Sequence, residues 1–219
     1  MTKPYLSVRY FPLFNRRFYS LFCAVLLLAP TMASADIQQA QQMVIDTTEK
    51  TMAELKQDEQ TVRNNPDQLY AIVDKMVLPH FDFQKMSSWV LGKYWRKATP
   101  SQKERFTQEF QKLLVRTYSN ALLEAIGKKI DFLPLQSKNK DATELTVRTE
   151  VQQQGGFPIP IDYKMYLKDG QWKVFDVVID NLSLVSNYRT SFSQEIKKSG
   201  IDKLIDSIAE KNNSQNKSS

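Results

Sequence analysis

The sequence ELTVRTEVQQQGGFPIPIDYKMYLKDGQWKVFDVVI, residues 144–179, contains three runs in which apolar and polar side chains alternate. A period of two is the pattern of a β-strand that buries one face. Gly155-Gly156 separates the first run from the second, and Asp169-Gly170 separates the second from the third. Asp-Gly supplies the positive φ angles that a two-residue hairpin turn requires. These residues therefore predict an antiparallel sheet with one large apolar face.

Helical patterns lie on both sides of this segment. We predict helices over residues 36–63, 66–78, 83–91, 100–126, 186–197 and 201–211, and a further strand within 129–136. The clearest start is at Pro100, where Thr99 can cap the helix and Gln102 completes a capping box. Helices followed by consecutive strands indicate an α+β fold. The N-terminal helices would pack on a curved four-stranded antiparallel sheet and the C-terminal helices would close it, leaving a middle that holds either side chains or a cavity.

The first 35 residues have the features of a secretory signal peptide. They carry basic residues and no acidic ones, a short apolar run over residues 21–30, and Ala33-Ser34-Ala35 as a cleavage site. The apolar run is short for a membrane span, so a membrane anchor is the less favoured alternative. We therefore expect an exported single domain over residues 36–211, a polar tail over 212–219, and a periplasmic location in a cell with two membranes.

Net charge and cysteine content exclude two classes of function. The net charge of +6 owes four of its positive groups to the predicted signal peptide, so it does not indicate nucleic-acid binding. The only cysteine, Cys23, lies in the same segment. The mature chain would therefore have neither a disulfide framework nor thiol chemistry.

Few residues in the sequence could form a catalytic or metal site. His80 is the only histidine, and in its apolar turn we interpret it as a polar turn residue and not as a general base. Gly-x-Ser-x-Gly, His-Glu-x-x-His, glycine-rich phosphate loops and cysteine pairs are absent. Asp162, Asp176 and Asp180 could form a carboxylate pair, although solvent-facing or salt-bridged carboxylates are commoner. We expect no enzyme activity, no metal and no cofactor.

Large apolar side chains are unusually dense within residues 81–95, where Phe, Met, Trp, Val, Leu and Tyr occur together. The sheet segment adds further aromatic residues and Met165. Ordinary core packing produces such stripes. Mixtures of Met and aromatic residues also suit a chamber that accepts variable apolar ligands. Spacing alone leaves both interpretations open.

Several short motifs occur in a fixed order along nearly the whole mature chain. They are NNPD at 64–67, IVD at 72–74, LP at 78–79, VLGKYW at 90–95, ATPSQ at 98–102, GQWKVFDV at 170–177, SL at 183–184, NYR at 187–189 and GID at 200–202. In this ordered set the chain resembles the MlaC family, the periplasmic phospholipid carriers also called toluene-tolerance auxiliary proteins. One departure is Asn181, where relatives usually have glycine, but asparagine can adopt the same left-handed backbone.

The resemblance implies an NTF2-like cone with a deep pocket for the acyl chains of a phospholipid, whose headgroup stays outside. It also implies transfer of phospholipid between an outer-membrane lipoprotein–porin complex and an inner-membrane ABC transporter complex with its periplasmic lipid-binding ring. Such transfer keeps the outer leaflet free of phospholipid. We expect a monomer that uses phospholipid as its ligand.

We predict that apolar residues of the middle helices, the long helix and the sheet line this pocket, with plain core as the alternative for each. They are Val77, Phe81, Val90, Leu91, Tyr94, Phe106, Phe110, Leu114, Tyr118, Val147, Ile161, Tyr163, Met165, Phe175 and Val177.

Two other functions remain compatible with the sequence. An NTF2-like periplasmic enzyme of isomerase or hydratase type would need His80 or Asp162 to point into the pocket. A lipoprotein chaperone or adapter would have a pocket too shallow for two acyl chains.

Overall fold

The structure is a computed structural model that describes residues 37–136 and 142–215. The predicted signal peptide and the last four residues of the predicted tail lie outside these ranges. The helices are α1 (Ile37–Gln57), α2 (Glu59–Asn64), α3 (Pro66–Met76), α4 (Phe83–Leu91), α5 (Pro100–Ala125), α6 (Leu184–Ser199) and α7 (Ile201–Gln215). The strands are β1 (Ile130–Phe132), β2 (Glu144–Val151), β3 (Ile159–Lys168), β4 (Gln171–Ile179) and β5 (Leu182–Ser183). This order confirms the α+β class.

Most helix ends lie within two residues of the predicted ones, and the exceptions are the break at Asp58 and the end of α7. α5 begins with the predicted capping box, in which the Gln102 amide donates to Thr99 Oγ1 at 3.2 Å and the Thr99 amide donates to Gln102 Oε1 at 2.9 Å. The prediction of one helix over residues 36–63 is wrong, because Asp58 has φ −119° and ψ 35° and separates α1 from α2. Apolar spacing continues through Asp58 to the buried Val62, so periodicity could not detect a break of one residue.

Within residues 37–136 and 142–215 the sheet has five strands in the order β1-β2-β3-β4-β5, and every neighbouring pair is antiparallel. The predicted count of four strands omits β5. Asp180 and Asn181 have φ values of 49° and 63° and form a two-residue turn that returns Leu182 and Ser183 to β4. The predicted turn at Asp169-Gly170 has the same character, with φ values of 50° and 78°. A two-residue strand is too short to produce a pattern of alternation.

A β-bulge interrupts the pairing of β3 with β4. Lys164 pairs with Asp176, but the next residue of β3, Met165, pairs with Val174. Phe175 is therefore an extra residue in β4, and the alternation of β4 changes phase at this point.

The two C-terminal helices complete the domain, and α6 packs on α4. α7 packs on α5, where Arg105 forms an ion pair with Asp206 at 2.9 Å. The predicted polar tail from residue 212 begins too early, because α7 continues to Gln215 and Asn212 is buried. The Asn212 side-chain amide donates to the Glu109 main-chain carbonyl at 3.0 Å and to its carboxylate at 2.8 Å. These bonds satisfy the buried amide nitrogen of Asn212, whereas its Oδ1 has no hydrogen-bond partner within the described residues.

The apolar interior of the part of the chain that the structure describes consists of two separate clusters. The larger cluster fills the space between the apolar face of the sheet and the helices. The smaller one joins α1, α2, α3 and α5 through Leu55, Val62, Leu69, Val73 and Leu123. Within the described residues no helix has the length and hydropathy needed to cross a membrane.

Candidate functional site

An apolar cavity of about 440 Å³ lies where the two clusters meet. Its helical walls come mainly from α1 and the C-terminal half of α5, with Val73 of α3 and with Phe83 and Met86 of α4. Residues 77–81 and the end of the sheet formed by β1, β2, β3 and β4 complete it. Members of both clusters line it, including Val73 and Leu114. The volume lies in the range of pockets that hold small organic ligands, about 300–1,000 Å³.

Seven of the fifteen residues predicted to line a pocket surround this cavity. They are Val77, Phe81, Leu114, Tyr118, Ile161, Tyr163 and Val177. The three from the sheet share its apolar face, since Ile161 and Tyr163 alternate along β3 and Val177 pairs with Tyr163.

The other eight lie outside the cavity wall. Phe106 and Phe110 occupy the N-terminal half of α5, where both rings contact Phe192 of α6 at centroid distances of 5.9 and 6.1 Å. Val147 and Met165 have no exposed surface and belong to the larger cluster. Val90 and Leu91 are buried in the same cluster, and Tyr94 packs against it.

Phe175 is displaced from the cavity by the β-bulge. Its ring contacts Tyr166 at 5.7 Å and Trp89 at 5.1 Å, on the side of the sheet to which the even-numbered residues of β3 point. Ile159, Ile161 and Tyr163, which alternate on the opposite face of β3, line the cavity. Val174, Val177 and Ile179 line the cavity from β4, and Val174 and Val177 are three residues apart because the extra residue between them reverses the alternation.

Sequence reasoning missed one wall of the cavity, which α1 supplies. Met43, Val44, Thr47, Thr51 and Met52 line it and recur at helical spacing. The threonines interrupt the apolar stripe, so hydropathy alone did not select this face. The Thr51 hydroxyl is buried and has no hydrogen-bond partner within the described residues. Ala121 and Ala125 of α5 line the cavity as well, and they were not among the predicted lining residues.

Three titratable side chains of the cavity wall have shifted pKa values. Burial, followed by interaction with Tyr188, raises the pKa of Tyr118 to about 12. Burial also raises the pKa of Tyr163. His80 lines the cavity, and burial together with the charges of Lys173 and Lys50 lowers its pKa. At neutral pH the wall therefore holds two neutral phenols and a neutral imidazole.

The carboxylates that could have formed a catalytic pair have other positions. Asp162, Asp176 and Asp180 are absent from the cavity wall. Asp176 is buried and accepts hydrogen bonds from Lys164 Nζ at 3.1 Å, Ser183 Oγ at 2.7 Å and the Val185 amide at 3.1 Å. These bonds join β3, β4 and the start of α6. Among the described residues, no group of three His, Cys, Asp or Glu side chains could hold a metal ion.

The chain is similar to proteins that are already known. The family model described as MlaC protein matches residues 45–210. The toluene tolerance protein ttg2D of Pseudomonas putida is 30% identical over 188 residues, which cover 84% of this chain and 86% of that protein. The intermembrane phospholipid transport system binding protein MlaC of Haemophilus influenzae is 27% identical over 160 residues, covering 72% of this chain and 74% of that protein.

A solved structure has the same fold. The phospholipid-binding protein of Ralstonia solanacearum, determined in complex with a phospholipid, superposes with a TM-score of 0.74 at 29% identity. The match covers 80% of this chain and 97% of that one. The ordered motifs, the family match and the shared fold agree: the chain belongs to the MlaC family.

Proposed function

We propose that the protein carries phospholipid across the periplasm and holds the acyl chains in the cavity between the sheet and α1, α3 and α5. The observation that carries this proposal is the cavity itself, an apolar space of about 440 Å³ in a protein of this family. The structural relative that binds a phospholipid has the same fold. The predicted signal peptide would deliver the protein to the periplasm.

The physical need for such a carrier is large. Two sixteen-carbon chains contain about 28 methylene groups, and exposing each to water costs about 0.8 kcal/mol, or roughly 20 kcal/mol in all. A free phospholipid therefore hardly crosses an aqueous gap. A cavity wall of Met, Phe, Val, Leu and Ile offsets this cost without directional bonds, so chains of different length can fit.

Lipid transport would also require complexes in the outer and inner membranes that exchange phospholipid with the carrier. We propose exchange of phospholipid with an outer-membrane lipoprotein–porin complex and with an inner-membrane ABC transporter complex that has a periplasmic lipid-binding ring. The outcome would be an outer leaflet kept free of phospholipid. The family match supports this assignment.

The enzyme alternative requires His80 or Asp162 in the cavity, and Asp162 lies outside the cavity wall. His80 lines the cavity, as an isomerase or hydratase would require. The charged groups that act on its imidazole are Lys173 and Lys50, and no carboxylate within the described residues orients it. A general base of the histidine type is usually held by such a carboxylate. The site therefore favours binding over catalysis.

The first test is native mass spectrometry of the mature protein, followed by denaturing extraction and analysis of the released lipid. We expect one phospholipid per chain, mixed in acyl length. In Ala125→Trp an indole enters the cavity, so we expect occupancy to fall several-fold. Ala53→Trp is the matched control, because Ala53 is exposed on α1 and lies outside the cavity wall.

Two results would contradict the carrier function. A wild-type protein that runs without lipid after gentle purification would favour the enzyme or the lipoprotein chaperone. Equal lipid occupancy in Ala125→Trp and Ala53→Trp, with both variants folded, would show that the lipid binds elsewhere.

A further inference from the structure

A polar groove opens beside the cavity and shares part of its wall. The groove has a volume of about 520 Å³ and lies between one face of α1 and the C-terminal end of α3. Met43, Thr47 and His80 line both the groove and the cavity. The apolar and polar spaces are therefore neighbours, joined along these three residues. This is the arrangement that an amphiphile with apolar chains and a polar headgroup would fill.

The groove contains two lysines whose charge is only weakly neutralised. Lys50 Nζ is 3.7 Å from the Asp46 carboxylate, and its side chain is 70% exposed. Lys75 forms no ion pair or hydrogen bond with any residue in the ranges 37–136 and 142–215. Gln39 and Gln42 add amide groups to the same wall. These groups offer charge-assisted and neutral hydrogen bonds to an anion.

A third cation lies close to the junction of the two spaces. Lys173 acts on His80 electrostatically, and its Nζ donates to the Pro79 carbonyl at 2.8 Å. The neutral imidazole of His80 retains one N–H donor. An anion at the junction would therefore meet the N–H donor of His80, with Lys50 and Lys75 on the groove wall and with Lys173 close enough to act on the imidazole.

Two features of the groove are negatively charged or have negative partial charge, and both weaken the binding of an anion. Asp46 is part of the wall, and Gln42 Nε2 donates to it at 2.7 Å. The C-terminal end of α3 also directs the negative end of its dipole toward this region. The lysines outnumber Asp46, so a net positive charge remains at the groove.

We propose that this groove binds the phosphate of a lipid headgroup, with Lys50 and Lys75 as its cationic partners and His80 as a donor at the junction with the acyl-chain cavity. This inference rests on the proposed carrier function. In this proposal the groove recognises the phosphate that all phospholipids share. Lipids with different headgroup alcohols can therefore bind with similar affinity.

The test compares two lipids that differ only in the phosphate-containing headgroup. Dioleoyl phosphatidylglycerol and dioleoylglycerol are supplied in equal amounts in nonionic-detergent micelles, and native mass spectrometry measures which one the mature protein takes up. We expect the wild type to prefer the phospholipid by about tenfold, the scale of one or two charge-assisted hydrogen bonds. In Lys50→Glu/Lys75→Glu we expect the preference to disappear.

Matched variants separate the groove from net charge. Lys56→Glu/Lys198→Glu makes the same change in charge at exposed positions outside both spaces, and it should keep the preference. Asp46→Asn removes the acidic group of the groove and should increase the preference. Lys75→Gln should reduce it partly, and it serves as the second variant if the double reversal fails to fold by circular dichroism.

The outcomes distinguish the two proposals. If the wild type takes up both lipids equally, or the charge reversal leaves the ratio unchanged, the groove assignment is wrong while the carrier function stands. If the wild type takes up neither lipid, the carrier function fails and the groove assignment fails with it. Inorganic phosphate alone, titrated by calorimetry, should not bind below about 1 mM. Tighter binding would assign the groove to free phosphate and overturn the headgroup proposal.

Discussion

At the residue scale, Gly92 has a role that follows from its backbone conformation, and Asp82 has a role that follows from its buried charge. Gly92 ends α4 with φ 53° and ψ −119°, a combination that is rare for residues with a side chain. Asp82 caps the other end of the same helix and is buried. Both positions lie within the dense apolar segment of residues 81–95. A substitution at either one should therefore also disturb the packing of the core around α4.

Replacement of Gly92 by alanine should destabilise the protein by about 1–3 kcal/mol, because the new residue must adopt the same backbone. A Cβ at Gly92 would also lie 3.2 Å from the Arg189 guanidinium, but that side chain can move. Backbone strain therefore dominates the cost. Urea denaturation measures it, with Gly156→Ala as the control, since Gly156 has no positive φ and its Cβ would make only an ordinary contact. Equal midpoints for the two variants would contradict the assignment.

Asp82 should make stability depend on pH below neutrality. Burial alone would raise its pKa, but hydrogen bonds from Lys168, Tyr166 and the Lys85 amide outweigh burial and lower it. Lys168 Nζ lies 2.7 Å from the carboxylate, and the Tyr166 hydroxyl also donates to it. Because the folded pKa is below the unfolded one, this stabilisation is present above about pH 4 and is lost as the pH falls through the folded value.

Asp82→Asn should therefore lower the free energy of unfolding by about 1–3 kcal/mol at pH 7. The difference from the wild type should persist at pH 5 and shrink at pH 3, because the wild-type carboxyl group becomes protonated. Urea titrations at the three pH values measure this. A difference that stays constant down to pH 3 would show that the carboxylate charge does not provide the stabilisation.

At the scale of the elements, α5 and β4 each contact different surroundings along their length. The N-terminal half of α5 packs its phenylalanines against α6, whereas its C-terminal half lines the cavity. β4 changes face at the bulge, so Phe175 packs with Tyr166 and Trp89 while Val177 lines the cavity. In both elements, apolar residues that are close in sequence therefore lie in two different environments.

The bulge predicts opposite effects for two neighbouring substitutions in β4. Phe175→Leu should cost about 1–2 kcal/mol of stability through lost packing and should leave lipid occupancy unchanged. Val177→Phe should project a ring into the cavity and reduce occupancy several-fold with a smaller effect on stability. Thermal unfolding and native mass spectrometry of both variants measure the two quantities. Loss of lipid in Phe175→Leu without loss of stability would place Phe175 in the lipid site.

For the whole molecule, the cavity separates two hydrophobic clusters that would otherwise form one core. The smaller cluster of α1, α2, α3 and α5 and the larger one on the sheet both contribute to the cavity wall. An apolar ligand in the cavity would contact both clusters at once. Binding and global stability should therefore be coupled.

Removal of the bound lipid should lower the melting temperature of the whole domain. At a lipid concentration of about 100 times Kd, a ligand that binds only the folded state contributes about 2.7 kcal/mol, which corresponds to roughly 5–10 °C for a domain of this size. Calorimetry of protein refolded with and without phospholipid measures the shift. Ala125→Trp is the control and should melt at the same temperature in both preparations. If the melting temperature of the wild type does not change when lipid is added, the lipid does not bind between the two clusters.

Much of the fold follows from local signals that the chain carries in order. Alternation in residues 144–179 predicts β2, β3 and β4, Asp169-Gly170 predicts the hairpin turn, and the capping box predicts the start of α5. Each signal depends on residues a few positions apart, so the linear sequence contains it completely. The ordered motifs likewise led to the family that the comparisons confirm.

The sequence by itself therefore determined the α+β class, the positions of most turns and caps, and the family. Tertiary structure alone decided which apolar residues surround a cavity and which fill the core, since a period of two or 3.6 shows that a face is buried but not what it meets. It also decided the effect of the bulge at Phe175, which depends on pairing with another strand. The polar groove also depends on tertiary structure. Lys50 and Lys75 line one groove because α1 and α3 pack together, and no pattern along the chain predicts that contact.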